Sequence, residues 1–233
     1  KTEGLKMKQP TLVIDEKKCQ FCGICNAICP FGALTLSING NKIVPVLEKE
    51  SFPKLIRDIK VDETICPIDC KDCEEACPFN LVKVSIDESK KSVRVDIDME
   101  HCPACRLCEV KCPYDALKVR KIITGTIKVD KEKCPVNCRD CVDVCPVPSV
   151  LYVGDDGKVD VNDLCCIYCG ICKIVCPVEG ALEVQRSSVY HTPVHSGAWN
   201  KALEKLTSTN DMAKELRTRL STKARETVKR RFS

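Results

Sequence analysis

Residues 163 to 177 read DLCCIYCGICKIVCP, five thiols in fifteen residues, two of them adjacent. Four of the five, Cys166, Cys169, Cys172 and Cys176, follow the spacing C-x2-C-x2-C-x3-C-P, and Cys165 is the surplus. Aligning the other cysteines on this stretch exposes four further copies of the unit. Cys19, Cys22, Cys25 and Cys29 sit in CQFCGICNAICP, Cys66, Cys70, Cys73 and Cys77 in CPIDCKDCEEACP, and Cys102, Cys105, Cys108 and Cys112 in CPACRLCEVKCP. Cys134, Cys138, Cys141 and Cys145 follow in CPVNCRDCVDVCP. The runs alternate, since runs two and four open with C-x3-C and runs one, three and five with C-x2-C. A repeat at this scale decides the architecture before any single element does.

The spacing resembles the cysteine run of bacterial-type ferredoxins, which binds [4Fe–4S] clusters. A short irregular loop can aim three thiolates, two residues apart, at three irons of one cube. The fourth thiol, at the start of a helical turn, faces the other way, and in two-cluster ferredoxins it ligates the cube of the partner run. The Pro after it lacks an N–H and fixes the backbone as the chain leaves the site. Zinc is the competing metal, but it takes two thiol pairs separated by a longer loop and has no use for three thiols at two-residue intervals. These twenty cysteines are therefore the candidate iron ligands, of about five [4Fe–4S] clusters.

Composition agrees. The chain has 233 residues, 44% hydrophobic but 4% aromatic, with 21 cysteines, so several small cores are expected, supplemented by metal. A secreted disulfide scaffold is disfavoured by the odd cysteine count and the lack of an apolar signal region, and no stretch approaches a membrane span. A reducing, cytoplasmic setting is the expectation. Charge is uneven. From Arg186 to Ser233 there are 11 Lys and Arg against 4 Asp and Glu, whereas the body is mildly acidic. No Gly-rich nucleotide fingerprint, paired-carboxylate site or Ser-His-Asp pattern is present, which points to a conductor of electrons without a catalytic site of its own.

Between runs, LVKVSIDESKKSVRVDID, LKVRKIITGTIKVD and VLYVGDDGKVDV alternate β-branched with polar residues around turns, and predict hairpins. The fold class expected is α+β, tandem bacterial-type ferredoxin-like modules with two [4Fe–4S] clusters each and a C-terminal helical tail. The pattern pairs run two with three (module 59–122) and four with five (module 123–186), leaving run one as a half-module (11–47) whose other half would lie upstream of Lys1. A competing phase pairs run three with four across ITGTIKV, inside two and five. On the first phase one site takes Cys134, Cys138, Cys141 and Cys176, its neighbour Cys166, Cys169, Cys172 and Cys145. The other module gives Cys66, Cys70, Cys73 with Cys112, and Cys102, Cys105, Cys108 with Cys77. Cys165 is expected to be a buried free thiol, with replacement of Cys166 or service to an unpaired run as alternatives.

Aliphatic residues between the thiols, Ile24, Ile28, Leu107, Ile171 and Val175, suit water exclusion, and Gly23 and Gly170 suit approach of N–H groups to sulfur. Arg106, His101 and Lys173 read as a solvated face. His191 and His195 flank Pro193 without a third ligand nearby and read as a docking loop. Residues 187–233 predict a basic helical docking tail, with AWNKALEKL and DMAKELRTRL at helical spacing, Asn210 or Asp211 as an N-cap and an acidic partner subunit as the target. A helix folded back on the modules is the alternative.

Together, Thr11 to Val184 and the tail PVHSGAWNKALEKL resemble the archaeal polyferredoxins, most closely those of tungsten- or molybdenum-containing formylmethanofuran dehydrogenase in methanogens. The resemblance implies an electron-transfer subunit delivering low-potential electrons for reduction of carbon dioxide to a formyl group. Its partners would be the catalytic and other subunits of a large redox complex, other ferredoxins or heterodisulfide reductase, with no nucleic acid and no membrane span. A polyferredoxin of a hydrogenase or heterodisulfide reductase complex, and a zinc-binding scaffold, are the alternatives.

Overall fold

In the computed structural model, which describes residues 14–49, 52–87 and 92–218, each cysteine run is a loop followed by a helix of four or five residues. Run one leads through α1 (Ile24–Ile28), β1 (Ser37–Ile38) and β2 (Asn41–Lys42) to α2 (Pro45–Glu48). Runs two and three lie on β3 (Asp58–Val61), α3 (Asp72–Glu75), β4 (Val82–Asp87), β5 (Ser92–Ile97), α4 (Leu107–Lys111) and β6 (Leu117–Arg120). Runs four and five repeat that order on β7 (Ile123–Val129), α5 (Asp140–Asp143), β8 (Leu151–Val153), β9 (Val159–Val161), α6 (Ile171–Val175) and β10 (Leu182–Val189).

All strand pairs are antiparallel and two-stranded, among the described residues. The hairpins are β1–β2, β4–β5 and β8–β9, while β3 closes on β6 and β7 on β10. Equivalent hydrogen bonds recur in the two modules: Asp62 N–H to the Ala116 carbonyl and Asp130 N–H to that of Ala181, both at 2.8 Å. The residues 117–129, where a third hairpin is predicted, do not fold on themselves, because β6 and β7 each pair with a strand at the far end of their own module. The predicted boundary at 186/187 cuts β10, which runs on to Val189, and β3 begins at Asp58.

Alternation explains the pairing. In β6 Leu117 and Val119 are buried and Lys118 and Arg120 exposed, and β5 buries Val93 and Val95 the same way. The apolar interior is divided among separate clusters, one around run two (Cys73, Val82, Val93, Leu117) and a larger one around runs four and five (Val147, Val150, Leu151, Val159, Leu182). Helices this short have no stability of their own. Those of the first module are pinned by carboxylates: Glu74 in α3 accepts from Val84 N–H at 2.8 Å, and Glu109 in α4 from Val119 N–H at 3.1 Å.

After β10 the chain crosses to the first module. Tyr190 N–H donates to the Ile122 carbonyl and its own carbonyl accepts from Ile56, Leu55 bridges His191, and Thr192 N–H meets the Lys54 carbonyl. The His191 segment is thus a stitch between modules, not a docking loop. The tail differs from expectation too. α7 (Gly197–Thr207) packs on β10, sets Trp199 edge-on to Phe52 with ring centroids 4.9 Å apart, and buries Leu203. In α8 (Thr209–Thr218) the cap is Ser208, whose hydroxyl accepts from Asp211 N–H, and Met212 is buried. The folded-back alternative therefore holds for α7 and the start of α8, since an apolar stripe carrying a Trp is covered by the nearest apolar surface. The basic end, 219–233, lies outside the described residues.

Candidate iron–sulfur sites

The local backbone of the C-x2-C runs is shared. The second residue after the first thiol, Phe21, Ala104 or Tyr168, is left-handed (φ 51°, 53° and 53°), and so is the residue before the helix, Gly23, Arg106 or Gly170. Such conformations are costly for residues with a side chain and persist where function over-determines them. Here they turn backbone donors toward sulfur: Phe21 N–H donates to Cys19 Sγ and Tyr168 N–H to Cys166 Sγ, both at 3.4 Å. Leu81 N–H donates to Cys77 Sγ at 3.3 Å. Donors of this kind, with charge and solvent access, set the potential of a bound iron–sulfur group.

The structure brings the thiols of runs two to five together in four sets. Three of the sets line cavities: Cys77, Cys102, Cys105 and Cys108, then Cys145, Cys166, Cys169 and Cys172, and then Cys134, Cys138, Cys141 and Cys176. In each, three thiols come from one run and the fourth from the other run of the module. The remaining walls are largely aliphatic, such as Ile127, Val150 and Val184 at run five and Val129, Val159 and Leu182 at run four. The fourth set is held by proximity of Cys66 to Cys112 and Cys70. In run one Cys19, Cys22 and Cys29 are half-buried and Cys25 is exposed.

Burial dominates the electrostatics. It pushes the thiols of Cys108 and Cys141 up to about 12 and of Cys105 and Cys166 to about 11, with neighbouring thiolates adding to the rise. For Cys141 those neighbours are Cys176, Cys138 and Cys134, and for Cys172 they are Cys169, Cys166 and then Cys145. Four thiolates in one dry cavity repel one another strongly, so such a set is stable as thiolate only around a cationic group. Among the described residues no three or more His, Cys, Asp or Glu side chains converge on one point as a single metal ion requires. The donor set and the cavities fit a polynuclear cluster with soft thiolate ligands.

Arg106 is placed differently from the expectation of a solvated face, while the His101 side chain stays exposed. Arg106 makes a two-pronged contact with Glu109 (2.9 and 3.0 Å) and lines the run-three cavity, and His101 Nδ1 lies 2.7 Å from Asp98. Cys165 is buried, 7% exposed, close to Cys105, Lys121 and Arg106 at the junction of the two modules. Arg57, which spacing rules could not single out, donates from Nε to the Cys102 carbonyl at 2.8 Å and from Nη2 to the Pro30 carbonyl at 3.1 Å, tying run one to run three. Phe31 and Phe79, each two residues beyond the last thiol of its run, meet edge-on with centroids 5.8 Å apart.

The 4Fe–4S dicluster domain model matches residues 65–116, runs two and three, and the 4Fe–4S binding domain model matches residues 12–35, run one. The chain belongs to the ferredoxin-like 4Fe–4S electron-transport proteins. At the level of particular proteins, a chain in the formate dehydrogenase, heterodisulfide reductase and formylmethanofuran dehydrogenase complex of Methanospirillum hungatei is similar, with 32% identity and a TM-score of 0.75 over 84% of this chain and 71% of that one. Electron transport protein HydN of Escherichia coli is 27% identical over 169 residues, 64% of this chain and 90% of that protein. NADH-quinone oxidoreductase subunit I 2 of Symbiobacterium thermophilum is 34% identical over 96 residues, and the chain spans only 36% of that protein's length. No helix among the described residues is long and apolar enough to cross a membrane.

Proposed function

We propose that the chain is a polyferredoxin, an electron-transfer subunit whose twenty run cysteines hold about five [4Fe–4S] clusters. The exchange of the fourth cysteine between paired runs, seen in three cavities, is the observation that carries this reading. Cys134, Cys138, Cys141 and Cys176 would hold one cluster, Cys166, Cys169, Cys172 and Cys145 the next, Cys102, Cys105, Cys108 and Cys77 a third, and Cys66, Cys70, Cys73 and Cys112 a fourth. Run one would hold the fifth through Cys19, Cys22 and Cys25, with Cys29 as its remaining candidate. A [4Fe–4S] group bound by thiolates takes up or releases one electron. The protein's part is to hold the thiolates, aim N–H groups at sulfur, keep water out with aliphatic walls and set neighbouring sites against one another.

Within a complex, the reading extends to delivery of low-potential electrons to a catalytic subunit, of the formylmethanofuran dehydrogenase type, that reduces carbon dioxide to a formyl group. The similarity to a chain in the Methanospirillum hungatei complex of formate dehydrogenase, heterodisulfide reductase and formylmethanofuran dehydrogenase supports that extension. Two measurements test the proposal. Anaerobically purified protein should contain about four iron and four acid-labile sulfide per run, whereas a colourless zinc protein would overturn the cluster reading. Affinity purification from a methanogen should recover formylmethanofuran dehydrogenase subunits, and recovery of a hydrogenase instead would reassign the partner.

A further inference from the structure

One cation at the module junction is supplied to run five from outside it. Lys121 follows β6, in the first module, and reaches the run-five loop of the second. Its Nζ donates to the Asp163 carbonyl at 2.9 Å and lies 4.9 Å from the centroid of the Tyr168 ring. Tyr168 is 4% exposed, lines the cavity with Cys166, Cys169 and Cys172, and gives its N–H to Cys166 Sγ. The ammonium is thus fixed one ring's width from a sulfur-lined cavity.

The other charges around it sharpen the point. Arg106 is matched by its two hydrogen bonds to Glu109. The Asp163 carboxylate lies 3.4 Å from the Tyr168 hydroxyl and is itself close enough to act on the Lys121 ammonium, which donates to the Asp163 carbonyl. Lys121 is half-buried, so water screens its charge less than that of a surface lysine. Run two is the contrast. Its stretch of sequence carries Asp62, Glu63, Asp69, Asp72, Glu74 and Glu75 against Lys71, with Lys83 paired to Glu74 at 3.1 Å.

We infer that Lys121 is a positioning residue for charge, one that raises the reduction potential of the site formed by Cys166, Cys169, Cys172 and Cys145. The inference rests on the iron–sulfur reading above. Reduction adds one negative charge to a site, and a fixed cation in a weakly screened position stabilises the reduced form more than the oxidised one. Lys121 therefore makes the junction side of the second module a favoured place for an electron, relative to the acidic stretch of run two. The first module thereby tunes the second across their interface.

The test is a potentiometric titration of the cluster-loaded full chain, followed by electron paramagnetic resonance. Lys121→Met keeps the length of the side chain and removes the charge, and Lys121→Arg keeps the charge. In Lys121→Met the signal that a Cys172→Ala chain lacks should titrate at lower potential. A tenfold change in the reduction equilibrium, about 59 mV for one electron, is the expected scale. Iron content and the signals of runs two and four should be unmoved, and Lys121→Arg should restore the potential. If Lys121→Met loses iron, Lys121→Gln repeats the measurement with a polar side chain. An unchanged potential at full iron content, or an equal shift in Lys121→Arg, overturns the inference while leaving the cluster reading intact. A wild-type chain with no iron–sulfur signal overturns the cluster reading itself.

Discussion

At Cys145 and Cys176 the thiols leave their own runs: Cys145 lies in the cavity of Cys166, Cys169 and Cys172, and Cys176 in that of Cys134, Cys138 and Cys141. Replacing Cys145 with Ala should therefore remove or convert the cluster of run five and spare that of run four. Spectra of single-run variants would check this, and intact run-five signals in Cys145→Ala would refute the exchange. Gly170, at φ 83°, has open space where a Cβ would stand, so Gly170→Ala meets no clash and pays only for its left-handed backbone, about 1 kcal/mol. Thermal unfolding of the loaded protein should register that loss. Arg106 occupies the same position in run three at φ 71°, held by Glu109. The candidate ligands could be picked out from the sequence because their spacing is local. Arg57 and Lys121 were not, because each acts on a run distant in the chain and no local pattern marks it.

Strands and helices were legible where the alternation was local, as in the β4–β5 and β8–β9 hairpins. The segment 117–129 shows the limit. LKVRKIITGTIKVD has the alternation and the Gly of a hairpin, yet Gly125 lies against the Gln185 carbonyl of β10, so the choice of partner is made by distant strands. The tail fails for a related reason: its apolar stripe is visible in sequence, but the surface it covers, Phe52 and β10, is assembled only in the fold. Trp199→Ala should release α7, at a cost of about 1–3 kcal/mol from lost apolar burial and the ring contact. Faster limited proteolysis after Val189, with the cluster spectra retained, is the expected result. Unchanged cleavage would show that α7 is anchored elsewhere.

Taken as a whole, the molecule relies on separate small cores, so bound metal should supply much of its stability. Removing iron with a chelator under anaerobic conditions should collapse the far-ultraviolet circular dichroism of the strands and lower the melting temperature. Retention of a cooperative, unshifted transition would mean that the cores suffice. Between run one and the first module, Arg57 provides two hydrogen bonds, and Arg57→Ala should loosen that junction by about 1–3 kcal/mol. Hydrogen exchange around Pro30 and Cys102 would report it. The stitch after β10 joins Lys54 to Thr192, partners 138 positions apart. During synthesis, where the N-terminal side emerges first, the first module can close β3 on β6 well before its outer border at Lys54 to Ile56 finds its partner. β7 likewise waits for β10, leaving an open strand edge that invites pairing with other chains. Closure of the second module therefore comes late in synthesis, and until β10 is made the β7 edge stays unpaired.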